Sequence, residues 1–183
     1  MIGIAKESRA GETRVAGTPD SVKKLIKKGH EVQVERGAGD LAGYSDSAYE
    51  AAGAKLVDSA AVLASDIVLK IIKPTPDEIL KMKKGTVLLS LLEPHAGDGT
   101  MAKLAEMGVS AIAMELIPRT SRAQSMDVLS SQAGVAGYRA VIEAASRYGR
   151  FFPMSMTSAG SVKACRLAVL GVGVAGLQAI ASA

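Results

Sequence analysis

A short apolar run, Cys165-Arg166-Leu167-Ala168-Val169-Leu170, leads into Gly171-Val-Gly-Val-Ala-Gly176 and then Leu177-Gln-Ala-Ile180. A strand that ends in G-x-G-x-x-G and opens a helix predicts a dinucleotide-binding turn. Gly171 allows the tight turn, and Gly173 lets the backbone approach a pyrophosphate beside Val174. Gly176 lets helix and strand pack closely, while the free N–H groups at the helix N-terminus face the phosphates. An ordinary buried strand–helix turn with chance glycines has the same spacing. The acid that holds an adenosine ribose is expected about 20 residues further on. The sequence runs only to Ala183, so the domain opened by this motif is expected to be truncated.

The 183 residues suffice for one full domain and part of a second. Hydrophobic residues make up 48% and charged residues 22%, enough for a buried core, and only 3% are aromatic. Abundant Ala, Val, Leu and Gly favour helices laid on a Val/Ile/Leu sheet over a β-sandwich. The net charge of +4 comes partly from Lys23, Lys24, Lys27 and Lys28 on one helix and Lys81, Lys83 and Lys84 on another. No aromatic residues interleave with these lysines, so they read as solvated helix faces and nucleic acid is not expected as a partner.

Cys165 is the one cysteine, which excludes an intrachain disulfide and fits a reducing compartment. With His30 and His95 the only histidines, no metal site is expected. Lys6 and Glu7 come too early for a signal peptide, and the longest apolar window, Leu167 to Ala181, is too short to span a bilayer.

Along the chain, strands and helices alternate. Met1–Ala5 reads as a strand and Lys6–Gly17 as a polar loop. Thr18-Pro19-Asp20 starts a helix that Gly29 ends. Glu31–Glu35 alternates as a strand, Gly37-Ala-Gly39 turns, and Ser45–Ala52 is helical. Lys55–Val57 and Ser59–Ala64 form a weaker strand–helix pair. Asp66–Ile72 is a strand stopped by Pro74 and Pro76, followed by a helix over Asp77–Lys84. Thr86–Leu92 is apolar enough for a strand covered on both faces, then come helix Thr100–Met107 and strand Val109–Met114. This predicts an α/β fold, a doubly wound and mainly parallel Rossmann-like sheet, followed by the start of a second Rossmann domain. Residues 1–127 form the first domain. Asp127 caps a connecting helix that runs from Val128 to Arg150, the small-residue stretch Ser155–Ser161 follows, and residues 152–183 open the second domain.

Ligands of open α/β sheets bind beyond the carboxyl ends of the strands. Arg14 follows the first strand, Lys70 lies near the end of the fourth, Glu93 and His95 follow the fifth, and a loop from Arg119 to Asp127 follows the sixth. Taken singly, Arg14 can be solvated, Lys70 can snorkel from an edge and Asp127 can serve only as a cap. Their expected convergence on one rim favours a functional reading.

Glu7, Glu12-Thr-Arg-Val-Ala16, Thr18-Pro19, Gly37-Ala-Gly39 and Ala52-Gly53-Ala54 resemble the opening of alanine dehydrogenases and of the NAD(H)-binding domain of proton-translocating NAD(P) transhydrogenases. Pro118-Arg-Thr-Ser-Arg-Ala-Gln-Ser-Met-Asp127, with Leu129-Ser-Ser131 and Ala136-Gly-Tyr-Arg-Ala140, is similar to the transhydrogenase signature loop and separates the two. The resemblance implies that Arg119, Gln124 and Asp127 lie against the nicotinamide and carry the catalytic role, that Ser130 is a further contact, and that Gly171, Gly173 and Gly176 hold the pyrophosphate. It further implies hydride transfer between NAD(H) on this chain and NADP(H) on a partner domain or beta subunit. A membrane proton-channel component and a second copy of the chain are also implied partners, at a cytoplasmic location peripheral to the inner membrane.

The chemistry agrees with that choice. Amino-acid oxidation needs an acid–base group beside the hydride donor, whereas exchange between two nicotinamides moves no proton at the reacting carbons. Alanine dehydrogenases use a His directly after the strand that matches Thr86–Leu92, and Glu93 stands there in this chain, with His95 two residues late. Arg14 and Lys70 match the substrate-carboxylate residues of alanine dehydrogenases, which keeps that alternative open. A third reading, a structural piece without a competent cofactor site, predicts weak NADH binding.

Overall fold

A computed structural model describes all of residues 1–183. Its contacts divide the chain into two compact units, Met1–Ile117 and Pro118–Ala183. The polar loop and the long helix are thus grouped with the C-terminal stretch.

The first unit is a six-stranded sheet in the order β3-β2-β1-β4-β5-β6, with every neighbouring pair parallel. Its strands are β1 (Ile2–Ile4), β2 (Val32–Glu35), β3 (Lys55–Val57), β4 (Ile67–Ile72), β5 (Val87–Leu91) and β6 (Ser110–Ala113). Between them run α1 (Pro19–Lys27), α2 (Asp46–Ala51), α3 (Ser59–Leu63), α4 (Pro76–Leu80) and α5 (Thr100–Glu106). The strand order reverses between β1 and β4. That puts the loop after β1 and the end of β4 at the switch point, where such sheets take ligands.

Side-chain alternation produces the two faces. Ile2, Ile4, Val32 and Val34 join Val22 of α1 and Tyr49 of α2 in one core. Ala5, Val68, Leu88 and Leu92 join Val62, Ile79 and Leu104 of α3, α4 and α5 in the other. Helices therefore cover both faces, the doubly wound arrangement the sequence predicts. Local signals fix the helix starts. The Thr18 hydroxyl accepts from the Ser21 N–H at 3.3 Å, ahead of Pro19 at the first helical position. Thr75 and Glu78 form a reciprocal capping box at α4. Pro76 is consequently the first residue of that helix, beyond the end of β4 at Ile72, and α4 stops at Leu80 rather than at the expected Lys84.

The second unit holds α6 (Val128–Tyr148), a hairpin of β7 (Ser155–Thr157) and β8 (Gly160–Val162), and α7 (Val174–Ser182). Gly149, at φ +69°, ends α6 just before the expected Arg150. The small-residue stretch Ser155–Ser161, to which the sequence assigns no element, falls in this hairpin, with Ser158 and Ala159 at its tip. The strand expected over Cys165–Leu170 is not formed: those residues pair with no other strand, and Leu170 is fully exposed. A strand exists through its ladder, and an apolar run without a neighbour stays irregular.

Candidate functional site

The loop 118–127 closes against the start of α6 through Asp127. One Asp127 oxygen accepts from the Ser130 N–H at 2.9 Å, and the other from the Ser130 hydroxyl at 2.6 Å. The Arg119 Nε stands 3.8 Å from that second oxygen. The Ser130 hydroxyl first, then the Ser130 N–H and the Arg119 charge, hold the Asp127 carboxyl below its ordinary value of 3.8. Asp127 therefore acts both as the helix cap and as the post on which Arg119 and Ser130 are arranged. With both oxygens engaged, it is a poor proton acceptor at neutral pH.

Around this post lies a cleft of about 390 Å³ lined by Arg119, Gln124, Asp127, Ser130 and Val174, with Thr120 and Ser121 completing it. Val174 is the first residue of α7 and belongs to the glycine turn. The four polar residues singled out in the loop and its helix thus share one cavity with the turn. Gly171 adopts φ +112°, a conformation that L side chains rarely take. A Cβ on Gly176 would fall on the carbonyl oxygen of Gly171, so the start of α7 packs directly on the turn there. At Gly173 a Cβ would meet nothing within 4 Å, so the backbone there borders open space.

A second cleft, of about 360 Å³, lies in the first unit at the β1/β4 switch point, lined by Arg9, Glu12, Arg14, Lys73, Leu91 and Glu93 among others. Of its charged side chains, Glu12, Arg14, Lys73 and Glu93 are held in ion pairs. The Arg14 Nη2 lies 2.6 Å from Glu12, and the Lys73 Nζ lies 2.9 Å from Glu93 and 2.5 Å from Asp98. Lys73 holds Glu93 below the usual carboxylate range and brings Asp98 down to about 2. Glu93 adopts φ +48°, and the Glu115 carboxylate secures it by accepting from the N–H groups of Leu92 at 2.8 Å and Glu93 at 2.5 Å. His95 is exposed and does not line this cleft.

Lys70 departs from expectation. It does not stand on the rim: its side chain is wholly buried, 3.5 Å from Glu7 and 3.2 Å from Glu78, and it donates to the Lys6 carbonyl at 3.2 Å. The reason is the β4 strand itself. Lys70 alternates into a covered face, and burial of an ammonium requires carboxylate partners. Glu7 accepts in addition from the Ile71 N–H at 2.6 Å. Burial raises its carboxyl above 4.5 despite the opposing pull of Lys70. Sequence reasoning missed this triad and the Lys73 pairs because their members are far apart in the chain. The Thr75–Glu78 spacing was the one local signal that Glu78 would be held in place.

Residues 3–136 match the family described as alanine dehydrogenase/PNT, N-terminal domain, and residues 140–183 match alanine dehydrogenase/PNT, C-terminal domain. The chain belongs to the alanine dehydrogenase/PNT family. Within it, the chain is 47% identical over 184 residues to "NAD(P) transhydrogenase subunit alpha" of Cereibacter sphaeroides, covering all of this chain and 35% of that one. It is 38% identical over 138 residues to "Alanine dehydrogenase" of Bacillus subtilis, covering 75% of this chain and 36% of that one. The solved structure of transhydrogenase from Sinorhizobium meliloti superposes with a TM-score of 0.95 at 48% identity, over 99% of this chain and 55% of that one. The chain thus spans only about a third to a half of the length of these relatives. Its similarity to the transhydrogenase branch extends over the loop 118–127 and the glycine turn.

Proposed function

We propose that this chain is the NAD(H)-binding portion of a proton-translocating NAD(P) transhydrogenase, passing hydride between NAD(H) in the cleft of the second unit and NADP(H) on a partner domain. One observation carries the reading. Arg119, Gln124, Asp127 and Ser130 line a single cavity with Val174 of the glycine turn, and the carboxylate among them is already engaged. The residues fit a dinucleotide. Open space at Gly173 leaves room for phosphate oxygens at the N-terminus of α7, whose first N–H groups lack intrahelical acceptors. Gln124, an amide, and Arg119, a guanidinium, suit a carboxamide that must be held in one orientation.

A bound reduced nicotinamide supplies the hydride. The residues of this chain orient and enclose it. Asp127 fixes Ser130 and Arg119, and Arg119 and Gln124 grip the ring end, while Gly171, Gly173 and Gly176 admit the phosphates. No general base is required, since hydride exchange between two nicotinamides leaves no proton to accept at the reacting carbons.

The partners in this reading are an NADP(H)-binding domain or beta subunit, a membrane proton-channel component and a second copy of the chain. No helix of residues 1–183 is long and apolar enough to cross a membrane; this reading places attachment at the cytoplasmic face of the inner membrane, through partner subunits. Against alanine dehydrogenase stand Lys70, committed to Glu7 and Glu78, and Glu93, tied to Lys73. A fluorescence titration of NADH tests the site. Arg119→Ala and Gln124→Ala are expected to weaken binding about tenfold or more, roughly 1.4 kcal/mol, and Arg14→Ala to leave it unchanged. Unchanged affinity in both loop variants would refute the assignment.

A further inference from the structure

α6 and α7 meet where no side chain separates them. Gly137 is buried on α6, and a Cβ there would lie on the carbonyl oxygen of Ala175, 2.9 Å from its carbonyl carbon and 3.0 Å from its Cα. All three are backbone atoms, which cannot swing aside as the end of a flexible side chain does. Ala175 sits inside the glycine turn, directly after Val174, which lines the cleft. A Cβ on Gly176 would in turn fall on the Gly171 carbonyl oxygen, so the turn and the first residues of α7 form one tightly packed piece. Ser130 and Gly137 are two helical turns apart and share one face of α6. The helix that carries Ser130 at the cleft therefore carries, on the same face, the point against which the phosphate turn rests.

We propose that Gly137 is a positioning residue for the dinucleotide: by letting α7 sit directly on the α6 backbone, it sets the span between the turn at Gly171–Gly176 and the Arg119–Ser130 loop. The proposal rests on the reading that this cleft binds NAD(H). A methyl group at 137 forces the two backbones apart by roughly 1 Å before carbon contacts regain about 3.5 Å. The turn gives way as a unit, because Gly176 packs the first residues of α7 directly on the Gly171 backbone. A ligand gripped at both ends feels the change in span. A ligand gripped at the turn alone does not.

The test uses Gly137→Ala in the full natural polypeptide that carries this sequence, with NADH and ADP affinities measured by calorimetry and the fold checked by circular dichroism. NADH is expected to bind about tenfold or more weakly, roughly 1.4 kcal/mol, while ADP stays within about twofold. The emission of bound NADH, which reports the surroundings of the nicotinamide, is expected to move toward that of the free coenzyme. Equal loss of NADH and ADP, through unfolding or otherwise, would overturn the positioning role and leave Gly137 a packing residue. Unchanged NADH binding would overturn it as well. A wild-type protein that binds ADP but no NADH would remove the functional reading itself, a separate result.

Discussion

Replacing Lys70 by methionine is expected to destabilise the first unit strongly, and more at neutral pH than in acid. The Lys70 side chain is 0% exposed, and its partners Glu7 and Glu78 are 2% and 12% exposed. Methionine fills similar space but leaves two carboxylates in the interior without their cation, and breaking a buried pair in this way costs about 3–5 kcal/mol. That is a large part of the roughly 5–15 kcal/mol that keeps a domain folded. The pH dependence follows from Glu7, whose carboxyl burial already raises above 4.5 against the pull of Lys70. Without Lys70 it rises further. A carboxyl whose folded value exceeds its unfolded value favours the folded state when protonated. The penalty is therefore complete above the folded value and shrinks as pH falls toward 4.5. Urea denaturation of the full polypeptide at about pH 5 and about pH 7.5 measures both effects, and Glu7→Gln on the Lys70→Met background should recover part of the loss. A loss below about 1 kcal/mol, or an equal loss at both pH values, would refute the reasoning.

Tyr49 is fully buried and its hydroxyl donates to the Gly17 carbonyl at 2.8 Å; Tyr49→Phe orphans that carbonyl and should cost about 1–3 kcal/mol in a thermal melt. In the native protein burial pushes this phenol up to about 12. Its contribution is therefore present below 10.0 and is lost as pH rises from there toward 12, which an ultraviolet titration would follow. For Asp127 the sign is opposite. Its carboxyl is held below 3.8, so the capping of α6 is intact above that value and fails as pH falls through the folded value, and a Ser130 amide resonance titrating above 3.8 would contradict this.

What could be read from the sequence was local. Thr18-Pro19, the glycine stops and the alternation of Val32 and Val34 each carry their structural cause within a few residues, and together they specified the parallel doubly wound sheet. Asp127 was likewise legible as a cap, since a carboxylate just ahead of a helix finds the N–H groups of the first turn. The fate of Lys70 was not, because its burial depends on Glu7 across the sheet. Nor was the irregular course of Leu167–Leu170, because a ladder needs a neighbour that no local pattern supplies. The hairpin at Ser155–Val162 escaped for a related reason: Ser, Thr, Ala and Gly there give no apolar alternation, and the pairing rests on a short backbone ladder with the Thr157 hydroxyl donating to the Gly160 carbonyl at 3.4 Å.

The most direct measurement of the central claim follows the conversion of NADH to NAD by chromatography, because the NADPH formed absorbs as NADH does, in the full natural polypeptide, first with a partner domain loaded with oxidised NADP and then with pyruvate and ammonium. Oxidation with the partner domain alone is the result expected for transfer between nicotinamides. Oxidation with pyruvate and ammonium, without the partner, would contradict it and make the cleft beside Arg14 and Glu93 the site of an alanine dehydrogenase.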